Sequence, residues 1–232
     1  MKVQIFVSHP DVNNSVTQQF FKSTLALAEA DVEITVLDEE LHSSQQFNVA
    51  DHQEKILAAD HVILQFPLYW YLAPYSLKKW QDDVFTNRFI NELKKVNQLK
   101  SKSLSLVINT GQPQKDFQPG KKSQFSLNEI LRPYQVFANE LGFDYLTPFI
   151  VYQFAYLNEQ EQYHLLVDYL IHVELINPSF VDKGQYLLNK VKQTIELDAK
   201  IQLQAVVDTL EEQLTDYKDL REALDEVKDN EE

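Results

Sequence analysis

Apolar residues recur along this chain with two different periods, and the two alternate. Val3–Ser8 (VQIFVS) is a short, β-branched apolar run that stops at His9-Pro10, which predicts a buried strand. Ser15–Ala30 carries Val16, Phe20 and Leu27 at helical spacing behind a potential N-cap, Ser15, and predicts a helix. Val32–Asp38 reads as a second strand, Asp51–Asp60 as a short helix, and His61–Pro67 (HVILQFP) as a third strand. Pro74–Val84 predicts a helix with proline in its first turn, and Ser103–Gly111 predicts a fourth strand. Ser126–Gly142 opens on a capping-box pair, Ser126 and Glu129, and closes on a glycine at the usual stop position. Phe143–Tyr152 predicts a fifth strand and Asn158–Ile176 a further helix.

Strands that alternate with helices predict an α/β fold, a parallel sheet covered by helices on both faces. In such sheets ligands sit beyond the carboxyl ends of the strands, where the strand order reverses. The segments to inspect are therefore those after strands one, three and four: SHPDVNNSV, FPLYWY and NTGQPQKDF. This pattern spans residues 1–181. Residues 182–232 differ, with 14 acidic and 7 basic residues and half of the net charge of −14. Leu203, Val207, Leu210, Leu214 and Tyr217 repeat there at spacings of four and three, then the register shifts beyond Arg221. An acidic amphipathic helical extension is expected, packed on the body or on a protein partner, or else solvated.

Charge and composition narrow the partners. A net charge of −14 argues against nucleic acid or an anionic membrane surface as the main partner. The chain has no cysteine, which removes disulfides, thiolate metal sites and thiol catalysis, and its six histidines show no zinc-ligand spacing. The start MKVQIFVSHP reads as a first strand and not as a signal peptide, and no apolar stretch reaches membrane-spanning length. These features predict a cytoplasmic protein that does not insert into membranes.

Each of the three loops admits two readings. The first has no glycine-rich phosphate motif, and the chain holds only four glycines. It does offer His9, the hydroxyls of Ser15 and Thr17, and the free amides of a helix start, which suit one phosphate; N-capping by Ser15 explains the same residues. The second, FPLYWYLAPYSLKKWQDDVF, holds both tryptophans. Its aromatic rings and exposed amides suit a flat heterocycle, but taken alone they fit better a hydrophobic clamp of Trp70 and Trp80 or a subunit interface. The third supplies Asn109, Thr110 and Gly111 as a polar turn, or is a plain loop.

Together the motifs HP…S.T, QFPLYWYLAPYSLKKWQDDVF and NTGQPQKDF…LNEILRPYQVFANELGFDYLTPFIVY resemble the flavodoxin-like NAD(P)H:quinone oxidoreductases, which include modulator-of-drug-activity proteins and ancillary subunits of potassium-efflux systems. The resemblance runs from about Val3 to Ile176. It implies a doubly wound five-stranded parallel sheet of order 2-1-3-4-5, a homodimer, and FMN or FAD bound where two subunits meet. His9, Ser15, Val16 and Thr17 would line the flavin phosphate. Pro67, Leu68, Tyr69, Trp70 and Tyr71 would contact the isoalloxazine ring, and Asn109, Thr110, Gly111 and Gln112 its polar edge. The implied reaction is ping-pong: NAD(P)H reduces the flavin, then a quinone or similar acceptor takes two electrons. The alternative is a regulatory or binding subunit on the same fold. Relatives usually read Thr-Thr-Gly-Gly at Asn109-Thr110-Gly111-Gln112, so Gln112 adds a side chain where backbone would approach the ring. Phe117 stands near a tyrosine that assists hydride transfer in some relatives, and no catalytic side chain is assigned.

Overall fold

His61–Pro67 is buried at all seven positions, as expected of a strand covered on both faces. It lies at the centre of a parallel sheet in a computed structural model that describes residues 1–99, 102–177 and 182–198. The strands are β1 (Lys2–Val7), β2 (Asp31–Val36), β3 (His61–Pro67), β4 (Ser103–Thr110), β5 (Asp144–Tyr145) and β6 (Phe149–Tyr152). Their order is β2-β1-β3-β4-β5, with β6 also paired to β4, and every pairing is parallel. The expected fold class is therefore observed, with the strand order reversing between β1 and β3.

The fifth strand position is split. Leu104 pairs with Tyr145 and Val107 with Phe149, so two residues of β4 face three on the other side. The extra residue falls at Leu146-Thr147-Pro148, where Pro148 has no N–H to give to a ladder. A proline likewise divides the helix expected over Ser126–Gly142. The capping box between Ser126 and Glu129 forms, and Gly142 takes the left-handed conformation (φ 74°) that ends the helix. Between them Pro133 separates a single turn, Leu127–Ile130, from a helix over Arg132–Leu141. We number the helices α1 (Val16–Thr24), α2 (Leu37–Ser44), α3 (Val49–Ala58), α4 (Tyr75–Val84), α5 (Asn87–Leu99), α6 (Leu127–Ile130), α7 (Arg132–Leu141), α8 (Glu159–Val173) and α9 (Lys183–Asp198). α1 is shorter than expected and passes into a 3₁₀ turn at Leu25–Leu27. α2 and α5 were not anticipated: the first follows β2 with no loop, and the second occupies the stretch after DDVF. Among the described residues no helix is long and apolar enough to cross a membrane.

Side-chain alternation sorts the core into two layers. Phe6, Leu64, Phe66, Leu104, Leu106 and Ile108 face one cluster, which includes Ile56 of α3, Trp80 of α4 and Leu93 of α5. Val3, Ile5, Val7, Ile63 and Val107 face the other, against Phe21 of α1 and Tyr169 and Val173 of α8. Trp80 is fully buried, and its indole N–H donates to His52 Nδ1 at 2.6 Å. His52 therefore carries its proton on Nε2, which faces Glu40 at 2.8 Å, so α4, α3 and α2 are locked together behind the aromatic loop.

The second face carries polar side chains of β3. His61 is fully buried; its Nε2 lies 2.8 Å from Ser105 Oγ, and Ser105 Oγ lies 2.9 Å from His172 Nε2. Because His61 Nδ1 meets the Val173 carbonyl at 3.4 Å, that nitrogen holds the proton. Ser105 then donates to His61 and accepts from His172, which satisfies all three groups with both rings neutral.

α9 extends the body. Leu187 joins Val167 and Ile171 of α8, and Lys190 Nζ bridges Glu174 (3.0 and 3.1 Å) and Glu29 (3.0 Å). Burial alone would raise the Glu174 carboxyl, yet bonds from Tyr186, the Glu29 amide and Lys190 hold it below the usual carboxylate value. The apolar repeat from Leu203 to Tyr217 lies outside the described residues.

The His61–Ser105–His172 chain makes stability depend on pH. Burial lowers the pKa of His61 to about 4; burial, with the neighbouring His61 adding to it, lowers that of His172 to about 3. In the unfolded chain both bind protons near 6.5, so between these values the unfolded state carries more protons. Their contribution is complete above pH 6.5 and is lost as pH falls toward 4 and then 3. Urea midpoints should fall continuously from pH 7 to pH 4.5. His172→Asn should start lower at pH 7 and fall less steeply; an equal slope in the two proteins would contradict the assignment.

Candidate functional site

The first segment, after β1, is tied down by a carboxylate. Asp38, in the first turn of α2, accepts from the His9 amide (2.7 Å) and from Ser76 Oγ (2.7 Å), and Ser76 meets buried Ser8 at 2.5 Å. One carboxylate thereby joins the ends of β1 and β2 to the start of α4. The Asp11 amide donates to His9 Nδ1 at 3.1 Å. Burial lowers the His9 pKa despite the opposing pull of Asp38 and Asp11, so the ring is neutral at pH 7 with its proton on Nε2. Ser15 Oγ caps α1 by accepting from the Gln18 amide at 3.4 Å. The amides of Val16 and Thr17, in the first turn, have no acceptor within the helix and are the donors that remain for an anion. Val16 is exposed and Thr17 half-buried.

The second segment forms a tight hairpin. Tyr69 and Leu72 exchange backbone hydrogen bonds of 2.9 and 3.0 Å around Trp70 (φ 51°) and Tyr71 (φ 67°). Two successive left-handed residues make a primed turn, which normally draws Asn and Gly. For bulky side chains the left-handed region costs about 1–2 kcal/mol per residue. The turn is held by its flanks. Pro67 and Leu68 are buried, the Leu68 amide donates to the Asn109 carbonyl (2.9 Å), and Tyr71 packs on the core before α4 begins. The outcome is to project Trp70 into solvent at 93% exposure, with Tyr69, Leu72 and Tyr75 exposed around it. The two tryptophans thus do not form a clamp: Trp80 is core and Trp70 is surface.

The third segment ends β4. Asn109 is half-buried, Thr110 buried and Gly111 exposed, and the Gln112 amide donates to Thr110 Oγ1 at 3.2 Å. Gln112 Oε1 is buried without a hydrogen-bond partner. A Cβ at Gly111 would meet nothing within 4 Å, so that glycine is not required by crowding in the isolated chain. A fourth segment joins here, as the Gln153 amide donates to the Thr110 carbonyl at 2.7 Å. Phe117 is buried in the core, 6.0 Å from Tyr152.

The three loops meet at one edge. Asn109 is the junction, bonded through its carbonyl to Leu68 and through Oδ1 to Gln18 Nε2 (3.3 Å). Gln18, Gln65, Asp38, Ser76 and Tyr169 were not singled out from the sequence. The available signal was a polar residue inside an apolar strand, Gln65 within HVILQFP, which has to find a partner when both faces are covered. A cavity of about 290 Å³ lies between α1 and strands β1 and β2, lined by Ile5, Val7, Gln18 and Gln65 among others. It sits beneath the loops and not at their crest, where the aromatic surface is open.

Comparison with known proteins places this geometry. The family pattern described as flavodoxin-like fold matches residues 1–169. The chain belongs to the flavodoxin-like family. A relative from Bacillus subtilis (strain 168), the uncharacterized NAD(P)H oxidoreductase YdeQ, is 31% identical over 211 residues, covering 91% of this chain and 96% of YdeQ. The solved structure of an NADPH-quinone reductase from P. pentosaceus superposes with a TM-score of 0.68 at 36% identity, covering 76% of this chain and all of that one. General stress protein 14 of Treponema denticola, solved in complex with FMN, gives a TM-score of 0.66 at 25% identity over 76% of this chain and all of that one.

Within this flavodoxin-like chain, the strained hairpin separates a role in folding from a role at the surface. Trp70→Gly removes a left-handed tryptophan that packs on little, at the cost of a more flexible unfolded chain. Stability should stay unchanged or rise by up to about 1 kcal/mol in urea unfolding. A loss of more than about 1 kcal/mol would mean that Trp70 supports the fold.

Proposed function

We propose that this chain is a flavin-dependent NAD(P)H oxidoreductase that delivers two electrons to quinones or similar acceptors, acting in the cytoplasm as a homodimer. The observation that carries the reading is the strained, exposed Trp70 hairpin fastened to Asn109 at the edge where the strand order reverses. Strain of this kind persists where the surroundings over-determine it, and it clusters at ligand sites. The reading is supported by YdeQ, the P. pentosaceus reductase and the FMN-bound T. denticola protein, whose names describe that chemistry or cofactor.

The residues present suit a flavin. An isoalloxazine edge offers carbonyl oxygens and one ring N–H, so it needs both donors and an acceptor. Asn109 supplies an amide donor, and Gln112 Oε1 is a buried acceptor still lacking a partner. Trp70 and Tyr69 offer aromatic surface for a flat ring. The neutral His9 with its Nε2–H, the Ser15 and Thr17 hydroxyls, and the Val16 and Thr17 amides would hold the phosphate. Pro67 to Tyr71 would line the ring, with Asn109, Thr110, Gly111 and Gln112 along its polar edge. FMN or FAD bound there would supply the redox chemistry, taking hydride from NAD(P)H and passing two electrons to the acceptor.

The chain's own part is to bind, orient and exclude water. The crest is open in one subunit, with Trp70, Leu72 and Tyr75 all more than 60% exposed. A second copy facing this crest would cover that apolar surface and close the ring site from above. Phe117 is buried in the core and has no titratable group, so it supplies no proton at the crest.

Purified protein mixed with FMN or FAD and desalted should retain flavin absorbance and oxidise NADH or NADPH when a quinone is added. Protein that stays colourless with either flavin would overturn the reading. Trp70→Gly should weaken flavin binding by about tenfold or more, the scale of a lost aromatic contact.

A further inference from the structure

Asn109 is not an isolated side chain. Tyr169 Oη donates to Gln65 Oε1 at 2.9 Å, Gln65 Nε2 donates to Gln18 Oε1 at 2.6 Å, and Gln18 Nε2 donates to Asn109 Oδ1 at 3.3 Å. Three of the four members are almost fully buried: Tyr169 at 0%, Gln18 at 3% and Gln65 at 4% exposure. The chain runs from α8 through the centre of the sheet and α1 to the loop after β4, and it has one consistent direction. Each amide accepts from the preceding member and donates to the next.

That direction has a consequence at the far end. An amide whose oxygen is occupied presents its NH₂ outward, so Asn109 faces the crest as a donor. Run in reverse, the same residues would turn the Asn109 oxygen outward. The hydroxyl of Tyr169 favours the first: it could accept as well as donate, but Gln65 is its partner, and in the reverse arrangement the buried O–H would face an NH₂ and lack an acceptor. Its ring stacks within 4.4 Å of Phe21 and 5.7 Å of Phe149, and burial keeps the phenol protonated. Gln65 cannot turn to water, since it lies in a strand buried on both faces.

We propose that Tyr169, through Gln65 and Gln18, is a positioning residue that fixes the Asn109 amide with its donor toward the flavin edge, so that a side chain on α8 sets the hydrogen-bond polarity of the ring site. This inference rests on the flavin reading above. None of the three positioning residues touches the ring. They act through Asn109, and their effect falls on how the site discriminates oxidised from reduced flavin, since the two present different donor and acceptor patterns.

The test uses the full chain with Tyr169→Phe, which keeps the ring and removes the hydroxyl, and Gln18→Leu, which cuts the chain next to Asn109. In flavin-free protein, ¹⁵N–¹H spectra should show the Gln18 and Gln65 side-chain amides protected from exchange in the unmodified chain, with protection lost at both in Tyr169→Phe. In titrations with FMN or FAD, each variant should raise the flavin Kd about five- to tenfold, the scale of one misplaced hydrogen bond. Each should also shift the potential of the bound flavin. In an Asn109→Ala background, Tyr169→Phe should have no further effect on Kd. Unchanged amide protection, or equal flavin affinity and potential in Tyr169→Phe and the unmodified protein, would overturn the inference. So would an effect of Tyr169→Phe that persists without Asn109. An unmodified chain that binds no flavin while its amides behave as described would instead overturn the flavin reading and with it the ligand assigned to Asn109.

Discussion

The structure depends on a strand that is buried on both faces yet carries polar side chains. β3 presents His61 and Gln65 to the same side, either side of Ile63, and no water reaches them. A buried amide or imidazole without a partner costs several times what its hydrogen bond returns, so these two positions constrain everything that packs on that face. α8 answers Gln65 directly with Tyr169, and His61 with the Val173 carbonyl and, by way of Ser105, with His172. A shift of α8 by one residue would break these buried hydrogen bonds, which fixes its register more sharply than the surrounding Val and Leu contacts would. Apolar packing brings the helix to the sheet, and the polar pairs set where it stops.

That constraint reaches the edge where the three loops meet because β3, β1 and β4 end together. Gln65 lies two residues before Pro67, so its link to Gln18 and Asn109 sits directly below the hairpin that carries Trp70. On the opposite face Asp38 does the corresponding work, joining His9 and Ser76. The loops are therefore anchored from below by amides and from the side by a carboxylate. The left-handed Trp70 and Tyr71 survive because neither flank can relax. Leu68 is held by Asn109, and Tyr71 is packed ahead of Pro74. Relieving the turn would require breaking one of those contacts.

Most of the architecture was legible in the periodicities. β1, β3 and β4 were placed within a residue or two, and the stop at Gly142 and the capping box at Ser126 follow from local rules that tertiary packing did not override. The failures have physical causes. α2 begins at Leu37 with no turn residue after β2, so nothing punctuated the change of period. Pro133 and Pro148 were read as tolerated inside longer elements, and each divided one. That the three loops meet at one edge was legible, because position after a parallel strand is a topological property. The connections between them were not legible. Gln18 looked like an ordinary helical residue and Gln65 like an interruption in an apolar run, and their meaning appears only when the strand order puts them face to face.

The same connections bear on the departure from the relatives' Thr-Thr-Gly-Gly pattern. Asn109 stands at its first position and Gln112 at its last. A threonine at 109 would end the buried chain in a hydroxyl, which both donates and accepts and so imposes no direction on what lies beyond. An asparagine bonded through its oxygen imposes one. Gln112 then brings a buried acceptor, still unpaired, to the same edge that Asn109 approaches with a donor. The two substitutions are complementary in polarity. This turn carries two amide side chains, Asn109 bonded through its oxygen to the interior and Gln112 with a buried oxygen that has no partner. The orientation of Asn109 is thereby tied, through Gln18 and Gln65, to the packing of α8 on the sheet.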